Sequence, residues 1–206
     1  MLLRPRDGAR WIKSYRAKQT PIEMGLPWIS WGCIDFLTSR IGPTWNVFEW
    51  GGGGSTIFFL RHGCRVTTAE THEGWKSKIE EAAVACNGRE RLQIRYFDVA
   101  PGAPGRTPFL ETVRDGGPWD IVLVDGVEYD DFHRVHCIEK VKNDPNLLSD
   151  RGFLMLDDAW RPIYRDVPQL LTGWTRRSYK TLGPARMGVT QTDVYFPPGS
   201  LAVELE

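Results

Sequence analysis

The stretch Val47-Phe-Glu-Trp-Gly-Gly-Gly-Gly-Ser-Thr56 has the residue types of a ligand-binding turn. One acid, Glu49, precedes four glycines, and Ser55-Thr56 opens the segment that follows. Glycines permit a tight turn and let a ligand approach the backbone. A helix starting just after them presents free N–H groups to a carboxylate or a phosphate. A dinucleotide turn would need the pattern G-x-G-x-x-G. Here the third glycine falls on Thr56 when Gly51 and Gly53 are the first two, and on Ile57 when Gly52 and Gly54 are. The acid points the other way: it sits badly beside a pyrophosphate and suits a ligand that carries an amino group. Three more carboxylates end apolar runs, Asp125 after WDIVLV and Asp157-Asp158 after GFLML. His133 and His136 share a helix face by their spacing. No third soft ligand lies near them, so packed or solvated histidines are expected rather than a zinc site.

These residues must be positioned by alternating elements. Strands are expected at 45–50, 65–70, 91–97, 119–125 and 152–156, with helices after the glycines, over 72–86, over 129–141 and over 163–171. Pro27 to Leu37 reads as a helix, with Pro27 in its first turn. The tail carries two β-prone runs, 174–180 and 189–196, with no helix between them, so they should close the sheet as an antiparallel hairpin. Alternation of this kind means βαβ units and a mostly parallel sheet with helices on both faces. The first ten residues read as loose. Residues 1–42 are expected to form an N-terminal tail and helical cap, and 43–206 the core.

Composition narrows the class. The 206 residues carry 26 basic and 26 acidic side chains, a formal net charge of zero. That argues against nucleic acid as a partner, since wrapping a phosphate backbone needs a positive excess. No apolar run approaches the ~20 residues of a membrane span, and the N-terminus has no apolar leader. Four scattered cysteines without a CxxC pair fit a reduced, cytoplasmic protein. The oligomeric state is left open, a homodimer included.

On EWGGGGST (49–56), Glu70, Asp98 and DIVLVDG (120–126), the chain resembles the class I S-adenosylmethionine-dependent methyltransferases over roughly residues 43–196. The resemblance implies a seven-stranded sheet with a reversed last strand, agreeing with the closing hairpin. It also implies a cofactor site. Glu49, Gly51 and Gly53, with Gly54, Ser55 and Thr56 completing the turn, would contact the methionine end. Glu70 would hold the ribose hydroxyls, with Thr71 beside it, and His72 and Trp75 would flank the adenine. Asp98 and Val99 would meet the adenine, and Asp125 would stand near the methyl group. Local readings remain beside these: Glu70 as a strand-end charge, Asp98 as a turn former, Trp75 as core.

In the resembling fold the strands ending at Asp125 and at Asp157-Asp158 are neighbours, and their carboxyl ends line the ligand crevice. Three carboxylates there would suit Mg2+, an arrangement similar to the divalent-metal-dependent O-methyltransferases. Successive strand residues point to opposite faces, so Asp157 and Asp158 can act together only if the chain turns between them. Asp158 could instead cap a following helix. The basic residues Arg161, Arg165, Arg176, Arg177, Lys180 and Arg186 form either a solvated surface or a seat for an anionic acceptor. The expected activity is methyl transfer to a small or medium-sized molecule, at oxygen, with Asp125 as the catalytic carboxylate. Aromatics at Tyr15, Trp28, Trp31, Tyr129, Trp160 and Tyr164 are candidates for acceptor choice. An RNA or protein methyltransferase and a non-catalytic cofactor-binding module are the alternatives.

Overall fold

The computed structural model describes residues 5–203. Its centre is a sheet built from β1 (Asn46–Trp50), β2 (Arg65–Glu70), β3 (Leu92–Tyr96), β4 (Trp119–Val124), β7 (Leu148–Leu156), β8 (Thr175–Leu182) and β9 (Val189–Phe196). Between β4 and β7 a two-stranded hairpin, β5 (Glu128–Tyr129) and β6 (Phe132–His133), stands apart from it. The sheet order is β3-β2-β1-β4-β7-β9-β8. β9 alone runs against its neighbours, antiparallel to β7 and to β8. The seven-stranded sheet and its closing hairpin are therefore as expected.

The strands alternate apolar residues to two faces with the period of two that a pleated chain imposes. Val47, Ile121, Leu123, Phe153, Met155, Val194 and Phe196 share one core with α3 (Trp31–Thr38), α4 (Gly54–Arg61) and α5 (Glu73–Ala85). Phe48, Trp50, Val122, Val124, Leu154 and Leu156 share the other with α6 (Arg106–Glu111), α7 (Arg134–Asn143) and α8 (Val167–Leu170). Right-handed crossovers put helices on both faces and all parallel strand ends on one edge.

Four local expectations are corrected. The first residues are not loose from Pro5 onward: α1 (Pro5–Arg16) is held by Arg6 and Arg10 on Asp35, by Arg10 over the Trp31 ring, and by Trp11 Nε1 donating to the Arg186 carbonyl. Residues 1–4 lie outside the described ones. After α2 (Pro21–Met24), the next helix begins at Trp31 rather than Pro27, because the Ser30 hydroxyl accepts from Cys33 N–H as an N-cap. The helix expected from Tyr129 begins at Arg134, since residues 128–133 form the β5–β6 hairpin, gripped by the Arg106 fork on Asp131. The helix expected over 163–171 is split into a 3-10 turn at Pro162–Tyr164 and α8, because Pro168 lacks the N–H a continuous helix would need. Among the described residues no helix is long and apolar enough to cross a membrane.

Candidate active site

The carboxyl ends of β1 and β4 meet at two glycines. Gly51 has φ +88°, and a Cβ there would lie 2.4 Å from the Gly126 nitrogen. Only glycine permits both that backbone and that approach. Gly126 and Asp125 in turn donate their N–H groups to the Trp50 carbonyl. At Gly54 a Cβ would lie 2.0 Å from the Leu26 carbonyl oxygen, so the first turn of α4 packs directly on the segment after α2.

Glu49 lies beneath this turn and is fully buried. Its Oε2 accepts from Thr56 Oγ1 at 2.6 Å and from Thr68 Oγ1 at 3.1 Å, whereas Oε1 has no partner. Burial pushes its pKa up to about 7, partly offset by the hydroxyls of Ser55, Thr56 and Thr68. An orphaned buried acceptor of this kind is costly unless something donates to it.

Glu70 ends β2 and is also buried. Its Oε2 accepts from Gly52 N–H at 2.9 Å, and its Oε1 from Thr71 N–H at 2.8 Å and His72 N–H at 2.9 Å. Burial raises its pKa against these three bonds. Glu70 thus ties the glycine turn to the start of α5 and keeps one acceptor direction on Oε2. Trp75 closes the turn from above, its Nε1 donating to the Gly52 carbonyl at 2.8 Å.

A cleft of about 510 Å³ opens over this edge. Its walls are the backbone from Gly52 to Ser55 with Trp75 on one side, Asp125, Asp157, Asp158, Arg134, Arg161 and Arg186 on the other, and Pro21 and Trp28 from the N-terminal segment. The structure brings Gly53, Gly54, Ser55, Asp125, Asp157 and Asp158 to this one cleft. Glu49, Gly51, Thr56, Glu70, Thr71, His72, Asp98 and Val99 support the edge without lining the cleft. Asp98 is exposed and turns the chain through Ala100 N–H, Val99 is core, and His72 caps α5 through Nδ1.

The chain does turn between the paired acids. Asp157 donates its N–H to the Val124 carbonyl as the last ladder bond, and Asp158 takes φ +52°. Both side chains then face Arg186, whose Nη1 lies 3.3 Å from Asp157 Oδ2 and whose Nη2 lies 2.7 Å from Asp158 Oδ1. Thr192 Oγ1 donates to Asp157 Oδ1 at 2.8 Å, and Arg161 holds Asp158 Oδ2. Asp158 caps no α-helix; its Oδ1 takes the Trp160 indole N–H and the Thr190 hydroxyl instead. Arg134 on α7 lies 3.3 Å from Asp125 Oδ1 and donates to the Asp157 carbonyl at 2.8 Å. Glu128, on β5, accepts from Tyr164 and pairs with Arg161.

Of the three aspartates lining the cleft Asp125 is the most accessible, with its side chain 28% exposed against 2% and 5% for Asp157 and Asp158. Burial raises the pKa of Asp125, the Arg134 guanidinium opposes this, and the Asp158 charge adds to it. Burial, then Asp125 and Asp158, push Asp157 up to about 8.

The metal site expected at Asp125, Asp157 and Asp158 is not assembled. Among the described residues no three His, Cys, Asp or Glu side chains are grouped to hold a metal ion. The physical reason is that guanidinium groups and hydroxyls already occupy the oxygens of the acid pair. The seat for an anionic acceptor on Arg161 and Arg186 is filled in the same way, by the chain's own carboxylates. His133 and His136 pack against each other, their ring centroids 4.9 Å apart and their planes tilted by 53°.

Arg134 and Glu128 went unread in the sequence. Their signal was weak: an arginine inside the helix expected over 129–141 and an acid just before it. Arg134 becomes conspicuous only once seen to be 5% exposed.

No protein-family model matches the sequence, and no curated protein does. Solved structures do. The cofactor-bound protein Rv0187 from MTB superposes with TM-score 0.62 at 19% identity, covering 94% of this chain and 90% of its own. The O-methyltransferase TomG from Streptomyces achromogenes, involved in tomaymycin synthesis and solved with SAM, gives 0.60 at 17%, covering 92% and 90%. An O-methyltransferase from Bacillus cereus solved with SAH gives 0.60 at 17%, covering 91% and 90%. At these identities the likeness is one of fold, and it runs along nearly the whole chain.

Proposed function

We propose that the protein is an S-adenosylmethionine-dependent methyltransferase that acts at oxygen on a small or medium-sized molecule. The observation that carries this reading is the common cleft. The glycine backbone at the head of α4 and the half-buried carboxylate of Asp125 face one cavity at the edge where open α/β sheets bind their ligands. The residues present fit the cofactor: Glu49 Oε1 is an orphaned buried acceptor under the turn, suited to the amino group of the methionine end. The first N–H groups of α4 suit its carboxylate. Glu70 offers its remaining Oε2 direction to one ribose hydroxyl, rather than both oxygens to two. Asp98, exposed after β3 beyond the cleft wall, is the side chain left for the adenine, since Val99 is buried in the core.

The cofactor, when bound, supplies an electrophilic methyl group on a sulfonium. The chain's own part is to bind, orient and take a proton. Asp125 is the most accessible carboxylate of the cavity, and its raised pKa makes it a better proton acceptor than an ordinary aspartate. Arg134 keeps it charged and aimed. Trp28 and Trp75 give the cleft its apolar surface, and residues 1–42 serve as the cap that selects the acceptor.

The test is to incubate the protein with S-adenosylmethionine and a panel of phenols, alcohols, carboxylates and amines, with RNA and a protein mixture beside them, and to quantify S-adenosylhomocysteine. Turnover with hydroxyl compounds, lost in Asp125→Asn, is expected. Turnover confined to RNA, protein or amines would overturn the assignment to oxygen of a small molecule.

A further inference from the structure

Three carboxylates line the far side of the cleft, Asp125, Asp157 and Asp158, and a fourth, Glu128, is joined to them through Arg134 and Arg161. Like charges so placed repel one another unless cations or protons neutralise them. Three guanidinium groups stand among them. Arg134 reaches Asp125 and Glu128, Arg161 bridges Glu128 and Asp158, and Arg186 bridges Asp157 and Asp158. Arg186 differs from the other two in origin. It comes from the turn between β8 and β9 and also donates to the Trp28 carbonyl at 2.7 Å. Its own backbone carbonyl takes Trp11 Nε1, and its neighbour Ala185 donates to Ser14 Oγ. The terminal hairpin and the N-terminal segment thus deliver one cationic group to the acid pair at the end of β7.

We propose that the Arg186 guanidinium is the built-in cation of this cleft, filling the place between Asp157 and Asp158 that the carboxylates would otherwise offer to a divalent ion. A guanidinium has five N–H donors. Two Nη1 donors go to Trp28 and Asp157 and one Nη2 donor goes to Asp158, so the guanidinium is held on three sides at the wall of the cleft. The charge is therefore fixed by a side chain that cannot dissociate, and the cleft works without a metal. The meaning of this for catalysis rests on the methyltransferase reading; the cation geometry does not.

Mn2+ is the probe, read by electron paramagnetic resonance of the free ion at pH 8, with Mg2+ as competitor. The wild-type chain is expected to leave the free-ion signal unchanged up to about 1 mM, the weak end of protein carboxylate sites. Arg186→Ala and Arg186→Gln are expected to bind Mn2+ below that concentration, with the gain removed by adding Asp158→Asn. Mn2+ binding by the wild type that Asp158→Asn abolishes would overturn the proposal. So would a folded Arg186 variant that binds none; the wild-type arm decides should both variants fail to fold. S-adenosylhomocysteine is titrated into the same wild-type sample. Its failure to bind would remove the methyltransferase reading and leave the Mn2+ result standing.

Discussion

The strands β4 and β7 carry an acid–arginine cluster at each end, and the two clusters behave in opposite ways. At the amino ends, Asp120 accepts from Arg151 Nε at 2.7 Å and Ser149 Oγ at 2.7 Å on one oxygen, and from Asn46 N–H at 2.8 Å and Arg151 Nη2 at 3.0 Å on the other. Every acceptor direction is filled. Although burial works to raise its pKa, the Arg151 fork and these bonds hold Asp120 below the ordinary carboxylate range. At the carboxyl ends, Asp125, Asp157 and Asp158 have arginine partners too, but burial and mutual repulsion win and Asp157 rises to about 8. The same residue types therefore make a stability element at one end and a strained, poised group at the other. The difference lies in the ratio of charges and in the open cavity. Perturbation of this second kind is what functional sites select for.

The largest effect that can break this contrast is on turnover. Asp125→Asn is expected to lower methyl transfer about 10²–10⁴-fold, the usual worth of a positioned proton acceptor, while hardly changing the urea midpoint. An activity near wild type would place the strained end outside the chemistry. Next comes Asp120→Ala, expected to cost about 2–4 kcal/mol in urea unfolding, somewhat under the range for a broken buried pair because Arg151 is 38% exposed. A loss below about 0.5 kcal/mol would mean that the filled cluster is ornamental.

The pH dependence separates the two ends by sign. Asp157 titrates near 8 when folded and near about 3.9 when unfolded. The folded chain holds the extra proton in between, so stability falls as pH climbs from about 4 to about 8. Glu49, pushed to about 7, acts in the same direction. Asp120 is held low, so its contribution is present above about pH 4 and is lost as pH falls. In a Tm profile, Asp157→Asn should flatten the decline between about pH 4 and about pH 8, and Asp120→Asn the fall toward acid. Matching slopes in both variants would contradict the contrast. The smallest effect is expected from Asp158→Asn. Asparagine tolerates the left-handed backbone at φ +52°, keeps an oxygen for the donors around it and relieves the crowding of acids, which offsets the ion pairs lost to Arg161 and Arg186, so stability should move by less than about 1 kcal/mol.

The glycine-turn side of the cleft was legible in the sequence and the acid side only half so. Gly51 and Gly54 are demanded by backbone geometry, and backbone demands leave a local trace in the residue string. The same holds for the sheet, whose alternating apolar residues carry the period of two along each strand. Arg186 reaches Asp157 and Asp158 across 28 positions or more of chain, and nothing near either acid announces it. Three acids without visible partners read as a metal site for that reason. The helix boundaries at Trp31 and Arg134 were missed where a local cap or turn, Ser30 and the Asp130-Asp131 hairpin tip, overrode a helical pattern of apolar residues.

The central claim is that the cleft at the head of α4 takes S-adenosylmethionine, and it is tested most directly by calorimetric titration of the wild-type chain with S-adenosylhomocysteine, alongside Glu70→Ala. One-to-one binding at micromolar Kd is the expected result, with a gain of about 2.7 kcal/mol in stability at a hundred times that concentration. Glu70→Ala should weaken binding by about 1.5–3 kcal/mol, since it removes the acceptor that ties Gly52 to Thr71 and His72 as well as the proposed ribose partner. A wild-type chain that gives no heat and no rise in Tm with this ligand would contradict the account at its root.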